Sequence, residues 1–289
     1  MRVEQKDHSK RPNTNGAITL TLPEFRHLSK LVYEACGISL SDSKKILLES
    51  RLLKRLRELN IHSFKRYIEY LSERTGWETE KAHFIDVVTT NKTDFFREAH
   101  HFDFIKNTIL PQMIRDGKRM VNAWSAACST GEEPYTLAIV LQEFAHSNPT
   151  INYAIFASDI STQALNKALL AVYTYQQIST VDKVLQKKYF LKCKKPSSPT
   201  VRIVPELRQK VTIQRMNLMD ASLAVSRSFD LIFCRNVLIY FDRKTQEAVI
   251  EKLLEKLLPG GYLFIGHSES LFPLNLPVIQ IKPTIYKKI

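Results

Sequence analysis

The stretch from Asn122 to Thr136, NAWSAACSTGEEPYT, restricts the fold of this chain more than any other. An apolar run from Met120 to Ala127 leads into it, and a helical pattern leads out of it. The residues between are small or acidic: Ala126, Ala127, Cys128, Ser129, Thr130, Gly131, Glu132 and Glu133. Small side chains let a backbone turn tightly and approach a ligand closely. The helix that follows aims its N-terminal amides at that ligand. A strand, a small-residue turn and a helix form the opening unit of a doubly wound nucleotide-binding sheet. The pattern also fits an ordinary strand–helix turn, because a single glycine is a weak signal. The turn is neither G-x-G-x-x-G nor G-x-x-x-x-G-K-[ST], and no lysine follows Gly131 to meet a phosphate. Its two carboxylates repel phosphate but suit a cation or a ribose hydroxyl. A cationic adenosyl cofactor, S-adenosylmethionine, fits that chemistry better than NAD or ATP.

A second strand, INYAIFASD, is apolar throughout, as expected of a strand covered on both faces. It ends at Asp159, where doubly wound sheets bind ribose hydroxyls. Asp159 taken alone fits a helix N-cap equally well, but together with the central loop it reads as a ribose ligand. VTIQRMNLMD predicts a strand ending near Asn217, and SFDLIFCRNVLIYF a buried strand, Phe229–Cys234, leading to Arg235 and Asn236. A helix from Arg243 to Leu258 should stop at Pro259-Gly260-Gly261. GYLFIGHSES then supplies a fifth strand, and PVIQIKPTIYKKI a terminal antiparallel pair. Residues 172 to 215 interrupt this alternation with a short helix and a hairpin. Between Leu165 and Arg215 stand eleven Lys or Arg and two acids, so an inserted, exposed, basic subdomain is expected over about 172–212.

Upstream, residues 1 to 16 are polar and expected to be a disordered tail. Residues 17–90 read as a small helical domain, with helices from Thr21 to Gly37, Asp42 to Leu59, Ser63 to Arg74 and Glu78 to Thr89. On the second helix, Leu48, Leu52, Leu53, Leu56 and Leu59 share a broad face, and Lys44, Arg51, Lys54 and Arg55 gather elsewhere. Six cations face one acid between Lys44 and Arg57. A solvated helix face explains such a stripe, but its excess of charge favours docking on an acidic partner helix. NKTDFFREAHHFDF, at the start of the 91–289 domain, fits an N-cap followed by a helix with a buried aromatic pair. Adjacent histidines on a helix point about 100° apart, so His100 and His101 are not expected to hold a metal.

The 289 residues, 44% of them hydrophobic, suffice for a large and a small domain. No apolar run reaches the roughly 18 residues of a membrane span. The N-terminus lacks the apolar segment of a secretory signal. Four scattered cysteines without a C-x-x-C pair favour reduced thiols in the cytoplasm. A formal charge of +13 predicts an acidic partner surface without naming it.

Taken in order and spacing, NKTDFFRE, SAACSTGEEPY, FASDIS, FCRNVLIYF and LFIGHSE resemble the chemotaxis receptor methyltransferases called CheR. The resemblance runs from about residue 20 to the end. It implies an α/β class I S-adenosylmethionine-dependent methyltransferase fold, with a mostly parallel doubly wound sheet, an N-terminal all-helical domain and a small inserted antiparallel β-subdomain. It implies S-adenosylmethionine as methyl donor, S-adenosylhomocysteine as product and receptor glutamates as acceptors. The partner would be the cytoplasmic helical region of chemotaxis receptors, met by a cytoplasmic monomer at receptor arrays. Carried over by motif, cofactor contacts fall on Asn91, Thr93, Arg97, Ala127, Glu133, Asp159, Asn217, Leu218, Cys234, Arg235 and Asn236. Glu133 rather than Glu132 matches the contacting acid. Arg97 and Tyr240 match the residues facing the reacting groups. In some members the inserted subdomain grips a receptor tail peptide with a glycine-bearing hairpin. Here CKKPSSPT has no glycine, which argues against that tether.

A glutamate carboxylate is ionised at pH 7, so such a reaction needs no general base. Positioning and desolvation would carry it. An RNA methyltransferase would also suit the charge. However, the basic stretches Lys44–Arg57 and Lys183–Lys195 hold only Tyr189 and Phe190 for stacking bases, which argues against nucleic acid. A non-catalytic adaptor would have no need of the polar motif residues, all of which are present.

Overall fold

The computed structural model of the chain describes residues 18–193, 199–272 and 274–289. The expected tail, residues 1–16, and the tip of the CKKPSSPT hairpin lie outside them.

Four helices come first: α1 (Leu22–Cys36), α2 (Lys45–Glu58), α3 (Phe64–Ser72) and α4 (Arg74–Val88). Local chemistry sets the ends of α1. Thr21 and Glu24 form a reciprocal capping box, and Gly37 stops the helix in the left-handed conformation at φ 74°. Phe25, Leu28, Val32, Leu48, Leu52, Leu56, Phe64, Tyr67 and Phe84 make the core of this unit. The leucine stripe of α2 is therefore its packing face.

The basic side of α2 is not a uniform docking stripe. Arg55 is turned inward, where its Nε and Nη2 donate to both oxygens of Glu80 at 2.8 and 2.7 Å. Glu80 is completely buried and also accepts from the Tyr67 hydroxyl at 3.0 Å. Arg51 donates to Val88 O at 2.5 Å and Thr90 Oγ1 at 2.7 Å, pinning the connection out of α4. The reason is angular: both arginines border the leucine face, so their long side chains reach back over it to acceptors on α4 and beyond. Lys44 is exposed and Lys54 keeps 85% of its side-chain surface, 3.9 Å from Glu58.

The second part of the chain begins with the irregular segment 91–99. There follow α5 (His100–Phe104), a π-helical turn (Ile105–Ile109) and α6 (Leu110–Arg115). The helix expected from Asn91 onward starts only at His100, because Phe96 and Glu98 take positive φ values of 54° and 57°. The α/β layers are β1 (Met120–Ala126), α7 (Glu132–Ser147), β2 (Asn152–Asp159) and α8 (Thr162–Leu170). The inserted unit is β3 (Val172–Thr174), α9 (Lys183–Tyr189), β4 (Phe190–Lys192), β5 (Thr200–Ile203) and α10 (Pro205–Arg208). The chain closes with β6 (Val211–Arg215), β7 (Phe229–Cys234), α11 (Arg243–Lys256), β8 (Leu257–Ile265), β9 (Val278–Lys282) and β10 (Ile285–Lys288).

The large sheet has the order β6-β2-β1-β7-β8-β10-β9. Its first five strands are parallel, and β10 runs antiparallel to both β8 and β9. β3, β5 and β4 form a separate antiparallel sheet. Apolar clusters cover both faces of the large sheet, one around Tyr135, Phe233 and Phe264, the other around Trp124, Phe229 and Ile250. This explains the unbroken apolar runs of β1, β2 and β7. Trp124 still finds a partner for its indole N–H, Ser158 Oγ at 2.9 Å.

Two boundaries differ from expectation: α4 begins at Arg74, not Glu78, and the helix α11 stops short of Leu258. α11 ends at Lys256, and Pro259-Gly260-Gly261 lies inside β8. Leu257 pairs with Phe229, yet Tyr262 pairs with Leu231, so the Pro-Gly-Gly segment forms an irregularity within the strand. Among the described residues no helix is long and apolar enough to cross a membrane, and no three metal-binding side chains cluster.

The Arg55–Glu80 pair yields a prediction. Arg55→Ala leaves a buried carboxylate without its cation and should destabilise the fold by about 3 kcal/mol. Urea unfolding measures the difference.

Candidate active site

The parallel register puts the ends of three strands at one level: Ala126 lies opposite both Ser158 and Cys234. Strand order reverses at β1, and a crevice opens at the carboxyl ends on either side of such a point. The loop after β1 turns through left-handed residues, Ala127 at φ 67°, Ser129 at φ 50° and Gly131 at φ 97°. Gly131 is required twice over. Its φ is strained for any side chain, and a Cβ would stand 2.9 Å from both Ala168 Cβ and the Tyr173 hydroxyl.

A cleft open at its mouth lies here, enclosing about 990 Å³ of atom-free space counted out into solvent. Its walls bring together Asn91, Thr93, Arg97, Ala127, Glu133, Asp159, Asn217, Leu218, Arg235, Asn236 and Tyr240. Of the expected site residues outside α2, Cys234 alone does not line it. As the last residue of β7, Cys234 is fully buried and packs with the Trp124 cluster.

Asp159 holds the loop in shape. Its Oδ2 accepts from Ser129 N at 2.8 Å and its Oδ1 from Ser161 N at 2.9 Å. Ser161, not Asp159, caps α8. A carboxylate oxygen can accept two hydrogen bonds, so each oxygen keeps capacity for a hydroxyl from the cleft. Burial raises the Asp159 carboxyl above its ordinary pKa, against the pull of those backbone amides. Glu133, also raised by burial, is opposed by Arg235 and by Ser125, whose hydroxyl donates to it at 2.6 Å. Glu132 points elsewhere, accepting from Thr130 and Gln177. Two partly desolvated acids on one wall fit a cationic, ribose-bearing ligand, and a phosphate would be repelled.

The segment 91–97 closes the cleft from the side. Ser129 Oγ donates to Asn91 O at 3.0 Å, and Phe96 N donates to Thr136 Oγ1 at 3.2 Å. Arg97 folds back so that its Nη1 reaches Lys92 O at 3.2 Å. Phe95 is buried against Tyr173 and Phe190, so the inserted unit braces this segment. Asn217 spends its side-chain amide on Ala35 O at 2.9 Å and Met219 N at 3.0 Å, joining the end of α1 to the far wall. Ser39 N donates to Tyr240 O at 2.8 Å. Cys36 and Ile38 also line the cleft, so α1 and the residues after it form one of its walls.

Motif reading passed over two buried groups. Glu269, in the loop after β8, accepts from three main-chain amides: Asn236 N at 2.9 Å, Gly266 N at 2.5 Å and Ile239 N at 3.3 Å. It thereby clamps the 236–240 turn, which carries Tyr240 and holds Asn236 at φ 58°. His101 is buried next to Arg235 and the β9–β10 turn. LFIGHSE and EAHHF marked both regions, but no rule of spacing separates a buried acid or imidazole from an exposed one.

Glu269→Gln replaces one accepting oxygen with an amide NH2, which donates where acceptance is needed, and should release the turn. Amide exchange at Asn236, Ile239 and Gly266 is then expected to accelerate about fivefold to a hundredfold, for an opening cost lowered by roughly 1–3 kcal/mol. Hydrogen–deuterium exchange measures this directly.

Comparison with known proteins gives this cleft its context. The profile described as "CheR methyltransferase, SAM binding domain" matches residues 91–286, and "CheR methyltransferase, all-alpha domain" matches residues 23–89. A chemotaxis protein methyltransferase of Borreliella burgdorferi is 40% identical over 279 residues, covering 95% of this chain and 97% of that protein. One from Klebsiella aerogenes is 39% identical over 269 residues, covering 93% and 90%, and one from Escherichia coli is 37% identical over 269 residues, covering 93% and 92%. With both family domains matched in order and relatives aligned along nearly their whole length, this chain belongs to the CheR family of S-adenosylmethionine-dependent chemotaxis methyltransferases.

Proposed function

We propose that the chain methylates glutamate side chains of chemotaxis receptors, giving glutamate methyl esters. The observation that carries this reading is the cleft's chemistry: Arg97 and Tyr240 share it with Glu133 and Asp159, and no histidine lines it. A nitrogen or hydroxyl acceptor requires a base to take its proton, whereas a glutamate arrives ionised.

When bound, S-adenosylmethionine supplies an electrophilic methyl whose C–S bond breaks as the acceptor oxygen forms its new C–O bond. Asp159 holds the ribose hydroxyls with its remaining accepting capacity. Glu133 faces the cationic end. Asn91, Thr93, Ala127, Asn217, Leu218, Arg235 and Asn236 complete the cofactor walls. Cys234 supports them from below. The Arg97 guanidinium orients the acceptor carboxylate. Tyr240 lines the cleft, and its hydroxyl donates to that carboxylate. Charge is annihilated in the step, since an anion and a sulfonium become an ester and a thioether, so a cleft floored by Phe102 and Leu218 favours it over water.

The receptor's cytoplasmic helical region meets the outward face of α2. Lys44, Lys54 and Arg57 are cations left exposed there, together with Ile46 and Leu47, whereas Arg51 and Arg55 maintain the helical unit. In this reading the chain works as a cytoplasmic monomer recruited to receptor arrays. Residues 17–90 dock and residues 91–289 carry the chemistry, with the basic insert at about 172–212 beside the cleft.

Labelled methyl groups transferred to membranes of the source cell should come off in mild base, as esters do. A base-stable label would refute glutamate methylation. Tyr240→Phe should lower kcat by roughly tenfold with little change in cofactor affinity, since a contact made in the transition state acts on kcat. Single-turnover transfer and calorimetry separate the two. Reversing Lys44 and Lys54 to Glu should weaken receptor methylation and leave cofactor binding intact. The wild-type rate should also fall with salt, because exposed charges are screened over about 10 Å at 0.1 M. Equal rates for the double variant and wild type at low salt would remove α2 from the docking surface.

A further inference from the structure

Arg235 is the most enclosed cation of the site, with 2% of its side chain exposed. Its Nε stands 3.3 Å from Glu133 Oε2, and its Nη2 donates to the main-chain oxygen of Arg97 at 2.6 Å. Phe102 and Phe233 flank the guanidinium at 5.6 and 5.8 Å. On its remaining side Nη1 meets His101 Nδ1 at 3.2 Å.

The network assigns the tautomer of His101. Thr284 gives its hydroxyl proton to Pro283 O at 2.6 Å, so towards His101 Nε2, 2.8 Å away, its oxygen is an acceptor. The imidazole proton therefore sits on Nε2. Nδ1 is left with a lone pair, which is what an incoming guanidinium N–H requires. Titratable side chains face the ring from two other directions. Glu98 Oε2 lies 3.7 Å from Nδ1, beyond hydrogen-bond reach, and the exposed His100 ring is 4.3 Å away. Phe233 and Phe264 cover the rest. Burial first, then Arg235 and His100, lower the His101 pKa to about 3, so the ring is neutral wherever the protein is folded and working.

We propose that His101 is a positioning residue for methyl transfer: as the Nε2–H tautomer oriented by Thr284, it uses its Nδ1 lone pair to fix Arg235, which in turn fixes the main chain of Arg97. This rests on the functional reading above. Thr284 sits at the β9–β10 turn with φ 63°, so the far hairpin of the sheet sets a donor–acceptor chain that ends beside the acceptor carboxylate. Glu133 keeps its own hold through Ser125, so loss of His101 acts on orientation at Arg97 more than on the cofactor.

The test uses the full-length protein. In ¹⁵N spectra of the wild type, the His101 ring should remain neutral with its proton on Nε2 from about pH 7.5 to about pH 5, where an ordinary histidine titrates. A proton on Nδ1, or an imidazolium in that range, overturns the proposal without any variant. His101→Asn keeps an acceptor near the place of Nδ1, and His101→Gln keeps a donor towards Thr284. His101→Asn should stay near wild-type kcat, while His101→Gln should lose on the order of tenfold to a hundredfold, the scale of a small misplacement of a reacting group. Both should bind S-adenosylhomocysteine as the wild type does. Equal kcat for the two variants, or a loss confined to cofactor affinity, overturns the positioning role. A wild type that transfers no base-labile methyl refutes the functional reading itself. Wild-type transfer with indifferent variants refutes only the role of His101.

Discussion

Everything in the site depends on the parallel register of β1 with its two neighbours. Ala126 and Cys234 end their strands beside Ser158, one residue short of the end of its own, so three separate loops start from nearly one line. In such a crevice, main-chain amides and the ends of strands point at the ligand before any side chain is chosen. The loops then cross-link one another. Asp159 from the second strand takes the amide of Ser129 from the first. Arg235, just past the third, reaches Glu133 at the start of α7. A register slip of one residue in β1 would turn its buried side chains to the other face and separate these partners.

Burial makes these cross-links strong and also costly. The site gathers four enclosed acids, Glu132, Glu133, Asp159 and Glu269, each raised from its ordinary pKa chiefly by burial. They are answered in three ways: Glu132 by a hydroxyl and an amide side chain, Glu133 by a guanidinium and a hydroxyl, Asp159 and Glu269 by main-chain amides. The net charge of +13 is not concentrated here. Some cations are spent structurally, as Lys118 is on Asp230 between the sheet and its connection.

The frame of the fold was legible because its strands are covered on both faces, which leaves continuous apolar runs in the sequence. Strands β1, β2 and β7 could be read almost to the residue, and the helix after Gly131 likewise. Part of the cleft was legible for a related reason: Ala127, Asp159, Arg235 and Asn236 end a strand or begin the turn after one, whereas Asn91, Thr93 and Arg97 come from the segment before α5. What was not legible depends on distance through space. The sequence shows Arg51 and Arg55 beside a leucine stripe, but only the packing of α4 on α2 reveals Glu80 and the Val88 carbonyl as their partners. Pro259-Gly260-Gly261 carries the usual sign of a helix end, yet the helix stops earlier because Leu257 is buried in the sheet beside Phe229. Cys234 ends a strand as its neighbours do, but strand alternation turns its side chain into the core. The positive φ of Phe96 and Glu98, the clamp of Glu269 and the tautomer of His101 all answer to neighbours more than thirty positions away or on other elements.

The wall contributed by α1 bears on how such a protein can be inherited or dissected. Asn217 holds the Ala35 carbonyl, Ile38 bridges to Phe241, and Ser39 holds the carbonyl of Tyr240. A methyltransferase sheet cut free after α4 would keep its strands and its acids, but it would have a groove lacking one side. The helical unit is therefore not a detachable recognition module that could be shuffled among related enzymes. A partner that grips the helices is also gripping a wall of the cofactor chamber.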